Sequence, residues 1–228
     1  YDILRCLVGS EMCIRDRFSP ELGVRSLPDW ETLPYDVLSP QEDIVSERLE
    51  TLYRMTSGTK GLDVVIASAV TAAQRMAPVA YVGANTFFFR PGDTLSVEGL
   101  RSNLAAAGYA GVKQVLAAGE FAVRGSIIDV FPMGSDRPFR LDLFDDEIES
   151  IRWVDVETQR SMEAVNEIRL LPGHEFPVTP EAVTGFRQRW RTRFAGDPGK
   201  SLVYRDIGNG VLPPGIEYLS LIHISEPT

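Results

Sequence analysis

GEFAVRGSIIDVFPMGSDRPFRLDLFDDEIESIRWVD spans Gly119 to Asp155, near the middle of the chain. Apolar and polar residues alternate along it with a period of two. Gly125, Gly134-Ser135 and Asp145-Asp146 divide it into short strands. Successive side chains of a strand point to opposite faces. Phe139, Leu141 and Leu143 therefore line the core face, and Arg140, Asp142 and Phe144 the other. On the preceding strand Phe121 and Val123 face inward, which turns Arg124 outward; Gly125 is a candidate bulge that would shift the parity beyond it. The result is an antiparallel meander whose outer face carries Arg124, Arg140 and Phe144. Arginine and large aromatics dominate binding hot spots. Two arrangements fit the pattern equally: an open patch, or Phe144 tucked under a loop with the arginines paired to Asp142 and Glu120.

Upstream, TFFFRPGD reads as a strand ending in a turn. Ser96 caps a helix with Leu100 and Leu104 facing inward, and Gly108 stops it. Residues 86–170 are thus expected to form an α+β domain, several antiparallel strands with one helix against them. Residues 18–85 have a different texture. GVRSLP reads as a short strand. Ser39, Pro40 and Glu42 are expected to open a helix through a capping box, with Val45, Leu49 and Leu52 as its buried stripe and an end near Ser57-Gly58. LDVVIAS reads as a central strand covered on both faces, and TAAQRM as a short helix closing at Pro78. Strand–helix–strand alternation predicts a parallel α/β sheet. Residues 171–218 return to the α/β texture. There Thr179 caps, Pro180 starts and Gly196 ends a helix with Val183, Phe186, Trp190 and Phe194 on one stripe. Its Arg187, Arg189, Arg191 and Arg193 read as a solvated face. The predicted class is α/β, an incomplete parallel sheet, with the α+β domain inserted into it.

The termini stand apart from this pattern. LSLIHISEPT (219–228) and residues 1–17 read as translated sequencing-adaptor DNA, so the natural segment is expected to run from Phe18 to Tyr218 within a longer chain. Cys6 and Cys13 both fall in the first 17 residues, which leaves no thiolate for a disulfide or metal site. His223 falls in the C-terminal stretch, so His174 then stands as a lone loop or surface histidine. The formal charge of −9 would repel a phosphate backbone. MTSGTKGLD has the wrong spacing for a phosphate loop, and Asp145, Asp146, Glu147 and Glu149 form a solvated turn rather than a metal site. No catalytic, cofactor-binding or metal-binding residues are assigned.

LPDWETLPYDVLSPQEDIVSERLETLY, the Gly119 block extended to Ser161, LLPGHEFP and LPPGIEY together resemble the N-terminal region of the bacterial transcription-repair coupling factors (Mfd). That region is similar to part of UvrB, but DWETLPYDVLSPQEDI stands where UvrB carries a tyrosine-rich DNA-threading hairpin. The resemblance implies a degenerate helicase-like sheet without ATPase activity and an inserted domain that binds UvrA through Arg124, Arg140 and Phe144. It implies a cytoplasmic bacterial parent that acts on RNA polymerase stalled on double-stranded DNA. Such a parent binds ATP and Mg2+ in translocase domains further along the chain. A C-terminal domain of the same chain would mask the UvrA surface, so the stretch alone is expected to bind UvrA constitutively. Two other readings are a UvrB-type damage-verifying ATPase fragment and a structural scaffold for the translocase.

Overall fold

The computed structural model describes residues 21–33, 38–58 and 61–223. Residues 1–17, 224–228 and the Thr59-Lys60 centre of the MTSGTKGLD motif lie outside them. The fold is mixed: a two-stranded parallel sheet, a two-stranded antiparallel sheet and a six-stranded meander. Strands β1 (Val24–Leu27) and β2 (Val64–Ala67) flank helix α1 (Glu42–Ser57); α2 (Ala69–Ala73) and α3 (Val79–Ala84) follow. Then come β3 (Phe87–Phe89), α4 (Val97–Ala106), β4 (Ala110–Gly111), β5 (Glu120–Arg124) and β6 (Ile127–Val130). β7 (Phe139–Phe144), β8 (Glu147–Val154), β9 (Ser161–Ala164) and β10 (Ile168–Leu170) complete the strands. Helices α5 (Pro180–Arg193), α6 (Leu202–Gly208) and α7 (Ile216–His223) end the described chain.

The meander runs β4-β5-β6-β7-β8-β9, antiparallel from β5 onward. Its core face carries Phe121, Ile128, Val130, Leu141, Leu143, Ile148 and Ile151, closed over by Leu100 and Leu104 of α4. The Ser96 hydroxyl accepts from the Gly99 N–H (3.3 Å) to start that helix. Gly108 takes φ 93 just past its end. β3 pairs with β10 in its own sheet, and Leu49 of α1 enters the same core.

In the α/β part the strands differ from expectation in detail. β1 and β2 pair in parallel, but β2 is half-buried because β1 is its only hydrogen-bonded strand among the described residues. Helix α1 opens at Glu42 and has no side-chain cap. The Ser39 hydroxyl instead accepts from the Gly215 N–H (3.1 Å), so the expected capping box does not form. Acidic Glu42 and Asp43 occupy the first turn, where the helix dipole favours them. Leu49 and Leu52 are buried, and Gly58 (φ 60) caps the end as expected. The TAAQRM helix is displaced: the Ser68 hydroxyl accepts from the Thr71 N–H (3.0 Å), so α2 starts at Ala69 and stops by Ala73. Pro78, expected as an end, leads directly into α3. Thr179 caps α5, accepting from the Ala182 N–H (3.3 Å), and α5 stops at Arg193, before Gly196. Arg187 and Arg191 are not simply solvated, since their guanidinium carbons lie 4.9 and 5.7 Å from the Tyr204 ring centre. Helix α7 runs on past Tyr218, and Leu219 is buried in the cluster around Trp30 and Phe186.

A buried ion pair joins the stretches on either side of the meander. Arg48 of α1 is fully buried and forks onto Glu175, Nε to Oε1 at 2.5 Å and Nη2 to Oε2 at 3.1 Å. Its Nη1 donates to the Pro28 carbonyl (2.6 Å), and the Trp30 indole N–H donates to Glu175 (3.1 Å).

Beside it, His174 does lie in a loop, but its ring is packed inward, stacked on Phe176 with centroids 5.3 Å apart. A Cβ on Gly108 would come within 2.4 Å of His174 Cδ2, so glycine is required there by space as well as by φ. Burial pushes the His174 imidazole below its ordinary value, although Glu42, Glu175 and Glu217 line the same cavity of about 380 Å³. A depressed folded-state pKa means the unfolded chain takes up the proton first as pH falls. His174 therefore costs stability below about pH 6.5, increasingly so down to its own lowered pKa. A His174→Gln variant is expected to show a flatter dependence of the urea midpoint on pH between about 7 and 5. Parallel curves for the two proteins would contradict this.

Candidate functional site

The outer face of the meander is built from strand parity. Arg124 stands opposite Ile127 across a two-residue turn, Gly125-Ser126, in which Gly125 takes φ 63. Gly125 is thus the first residue of a tight hairpin, a position that favours glycine, rather than a bulge. Pairing runs unbroken from Phe121–Val130 to Arg124–Ile127, so parity is kept. The irregularity lies in β8, where Asp142 pairs with Ser150 and Leu143 with Ile148, leaving Glu149 extra. Arg140 and Phe144 stay on the face of Arg124. Along β7 they are separated by roughly 13 Å, four residues of extended chain.

Asp129 sits at the centre of this face and is 2% exposed. Ile128 and Val130 on either side of it point into the core, and Arg140 is its direct cross-strand neighbour. Arg140 donates to both its oxygens, from Nε to Oδ1 (2.7 Å) and from Nη2 to Oδ2 (3.0 Å). The remaining amino group of Arg140 donates to the Ser161 hydroxyl (3.2 Å). Arg124 donates to Asp129 Oδ2 from the other side. The bond to Asp129 holds the Arg140 guanidinium still more firmly protonated than usual. Two cations and one carboxylate thus leave a net positive charge, with Arg140 mostly covered (side chain 15% exposed) and Arg124 half open (49%).

Phe144 is 72% exposed. It ends β7 immediately before the turn at Asp145 (φ 53), and among the described residues no loop covers its ring. Asp145, Asp146, Glu147 and Glu149 are exposed around it. Neither arrangement left open by the pattern is realised in full: the ring is open, yet the arginines are paired. Their partner is Asp129, not Asp142 or Glu120. Asp142 accepts from the Ser150 hydroxyl (3.0 Å), and Glu120 accepts from the Leu116 and Ala117 amides (2.7 and 3.0 Å). Asp129 is the residue that pattern reading passed over, although its place between the core positions Ile128 and Val130 marks it as outward-facing. Among the described residues no group of His, Cys, Asp and Glu could hold a metal ion, and no helix is long and apolar enough to cross a membrane.

Residues 87–176, which contain this face, match the family described as the UvrB interaction domain. The chain is 45% identical over 204 residues to the transcription-repair-coupling factor of Escherichia coli K12, covering 90% of this chain and 18% of that protein. The Haemophilus influenzae protein of the same name is 45% identical over 202 residues, 87% of this chain and 17% of its own length. The Rickettsia bellii protein of the same name is 29% identical over 202 residues, covering 89% of this chain and 18% of the relative. The chain therefore spans less than a fifth of the length of these relatives.

Proposed function

Because this chain is a UvrB-like module of the transcription-repair-coupling factor family, we propose that its meander face docks UvrA and performs no chemistry of its own. The observation that carries the reading is an aromatic ring, Phe144, 72% exposed at the end of a strand whose Arg140 is locked in place by Asp129. A large ring left in water beside pre-ordered guanidinium groups suits a partner that supplies an apolar pocket and acceptors. In this reading the module brings UvrA to RNA polymerase stalled on damaged DNA. ATP-driven movement along DNA belongs to other parts of the protein.

Calorimetric titration of UvrA into the whole chain tests it. Phe144→Ala is expected to weaken binding by about 2 kcal/mol, roughly thirty-fold, with an unchanged circular dichroism spectrum because the ring lies mostly in water. Arg140→Ala is expected to lose at least as much, with some loss of stability as Asp129 keeps only Arg124. Wild-type affinity in the Phe144 variant would move the UvrA site off this face, and failure of the parent chain to bind would favour a scaffold role.

A further inference from the structure

Arg140 stands directly opposite Arg152 across β7 and β8. Like charges in a cross-strand pair are unfavourable unless each is compensated. Arg140 is compensated by Asp129, its neighbour on the other side across β6. Arg152 is not: it is exposed, and among the described residues it has no ion-pair or hydrogen-bond partner. Asp142, the nearest carboxylate on this face, stands opposite Ser150 and accepts from its hydroxyl (3.0 Å), while Asp145, Asp146 and Glu147 collect at the Phe144 end, several residues along the strands from Arg152. The cross-strand series Asp129, Arg140, Arg152 thus ends in an unneutralised cation on the face of a chain whose formal charge is −9.

From this we infer that Arg152 is a further specificity residue of the docking face, and that it receives a carboxylate of the partner. The inference rests on the proposal that this face docks UvrA. It assigns to UvrA an acidic side chain seated over the Arg152 end of the meander while an apolar pocket takes Phe144. Arg152 gains its missing counter-ion only in the complex. A guanidinium suits this role because its fork engages a carboxylate bidentately.

The test uses the whole chain with UvrA, comparing Arg152→Gln, Arg152→Glu and Phe144→Ala. Arg152→Gln is expected to raise Kd about fivefold, and Arg152→Glu by more than about tenfold through direct repulsion. The parent should also lose affinity more steeply with added salt than Arg152→Gln. Folding should move the other way. Arg152→Glu places an acid opposite Arg140, so its urea midpoint should equal or exceed that of the parent. A purely structural arginine would lower the midpoint instead. Unchanged Kd in both Arg152 variants, with Phe144→Ala still impaired, overturns this inference and leaves the UvrA reading intact. Unchanged Kd in all three, or no binding by the parent, overturns both.

Discussion

Arg48→Ala is expected to lower the unfolding free energy by about 3–5 kcal/mol, a large part of the stability of a domain this size. Arg48 is fully buried, and its removal strands Glu175, 3% exposed, without its counter-charge. The Pro28 carbonyl loses its donor as well, and Trp30 loses the guanidinium carbon that lies 4.8 Å from its ring centre. The Trp30 indole N–H, at 3.1 Å, still donates to Glu175, but it carries no charge. Breaking one side of a buried pair is costly because the surviving charge remains desolvated. Removing both sides is much cheaper. The double variant Arg48→Met, Glu175→Gln should therefore recover part of the loss. Urea unfolding measures both, provided the slope stays constant. A single-variant loss under about 1 kcal/mol would mean that water reaches Glu175 and that this contact does not join the two flanking stretches.

The second large effect centres on Asp129. Asp129→Asn keeps the shape but removes the charge that separates Arg124 from Arg140. The full penalty for a broken buried pair must be discounted, because the Arg124 side chain is 49% exposed and its share is screened. About 2–3 kcal/mol of stability is the expected loss. If the face docks UvrA as proposed, UvrA binding should fall as well, at temperatures where the variant is still folded, since both guanidinium groups lose the anchor that orders them. Stability and affinity both within about 0.5 kcal/mol of the parent would show that the arginines are ordered by the strands alone.

Much of this was legible in the residues, for reasons that also explain what was not. Period two in FRLDLF settles which side chains face the core, because a strand has only two faces. Helix α4 was legible because Ser96, Leu100, Leu104 and Gly108 agree on one start, one stripe and one stop. Ser39 misled because its hydroxyl bonds Gly215, a partner far away in sequence that no local pattern reveals. Asp129 was hidden in a different way. Its neighbours Ile128 and Val130 give an apolar run, and its partners lie on two other strands. His174 looked peripheral because nothing local announces that its ring fills the space left by Gly108.

The Arg48–Glu175 pair also has a consequence for synthesis. Its partners are 127 residues apart, with the entire meander between them. A ribosome adding about 5–20 residues per second leaves α1 waiting roughly 6–25 s for Glu175 to be made. Throughout that interval Arg48 has no carboxylate to close on, and Leu49 has no finished core to enter. The meander's own hairpins, by contrast, join neighbouring strands and can pair as they emerge. The outer face of the meander is thus expected to be shaped on the nascent chain before the stretch that precedes it is locked in place.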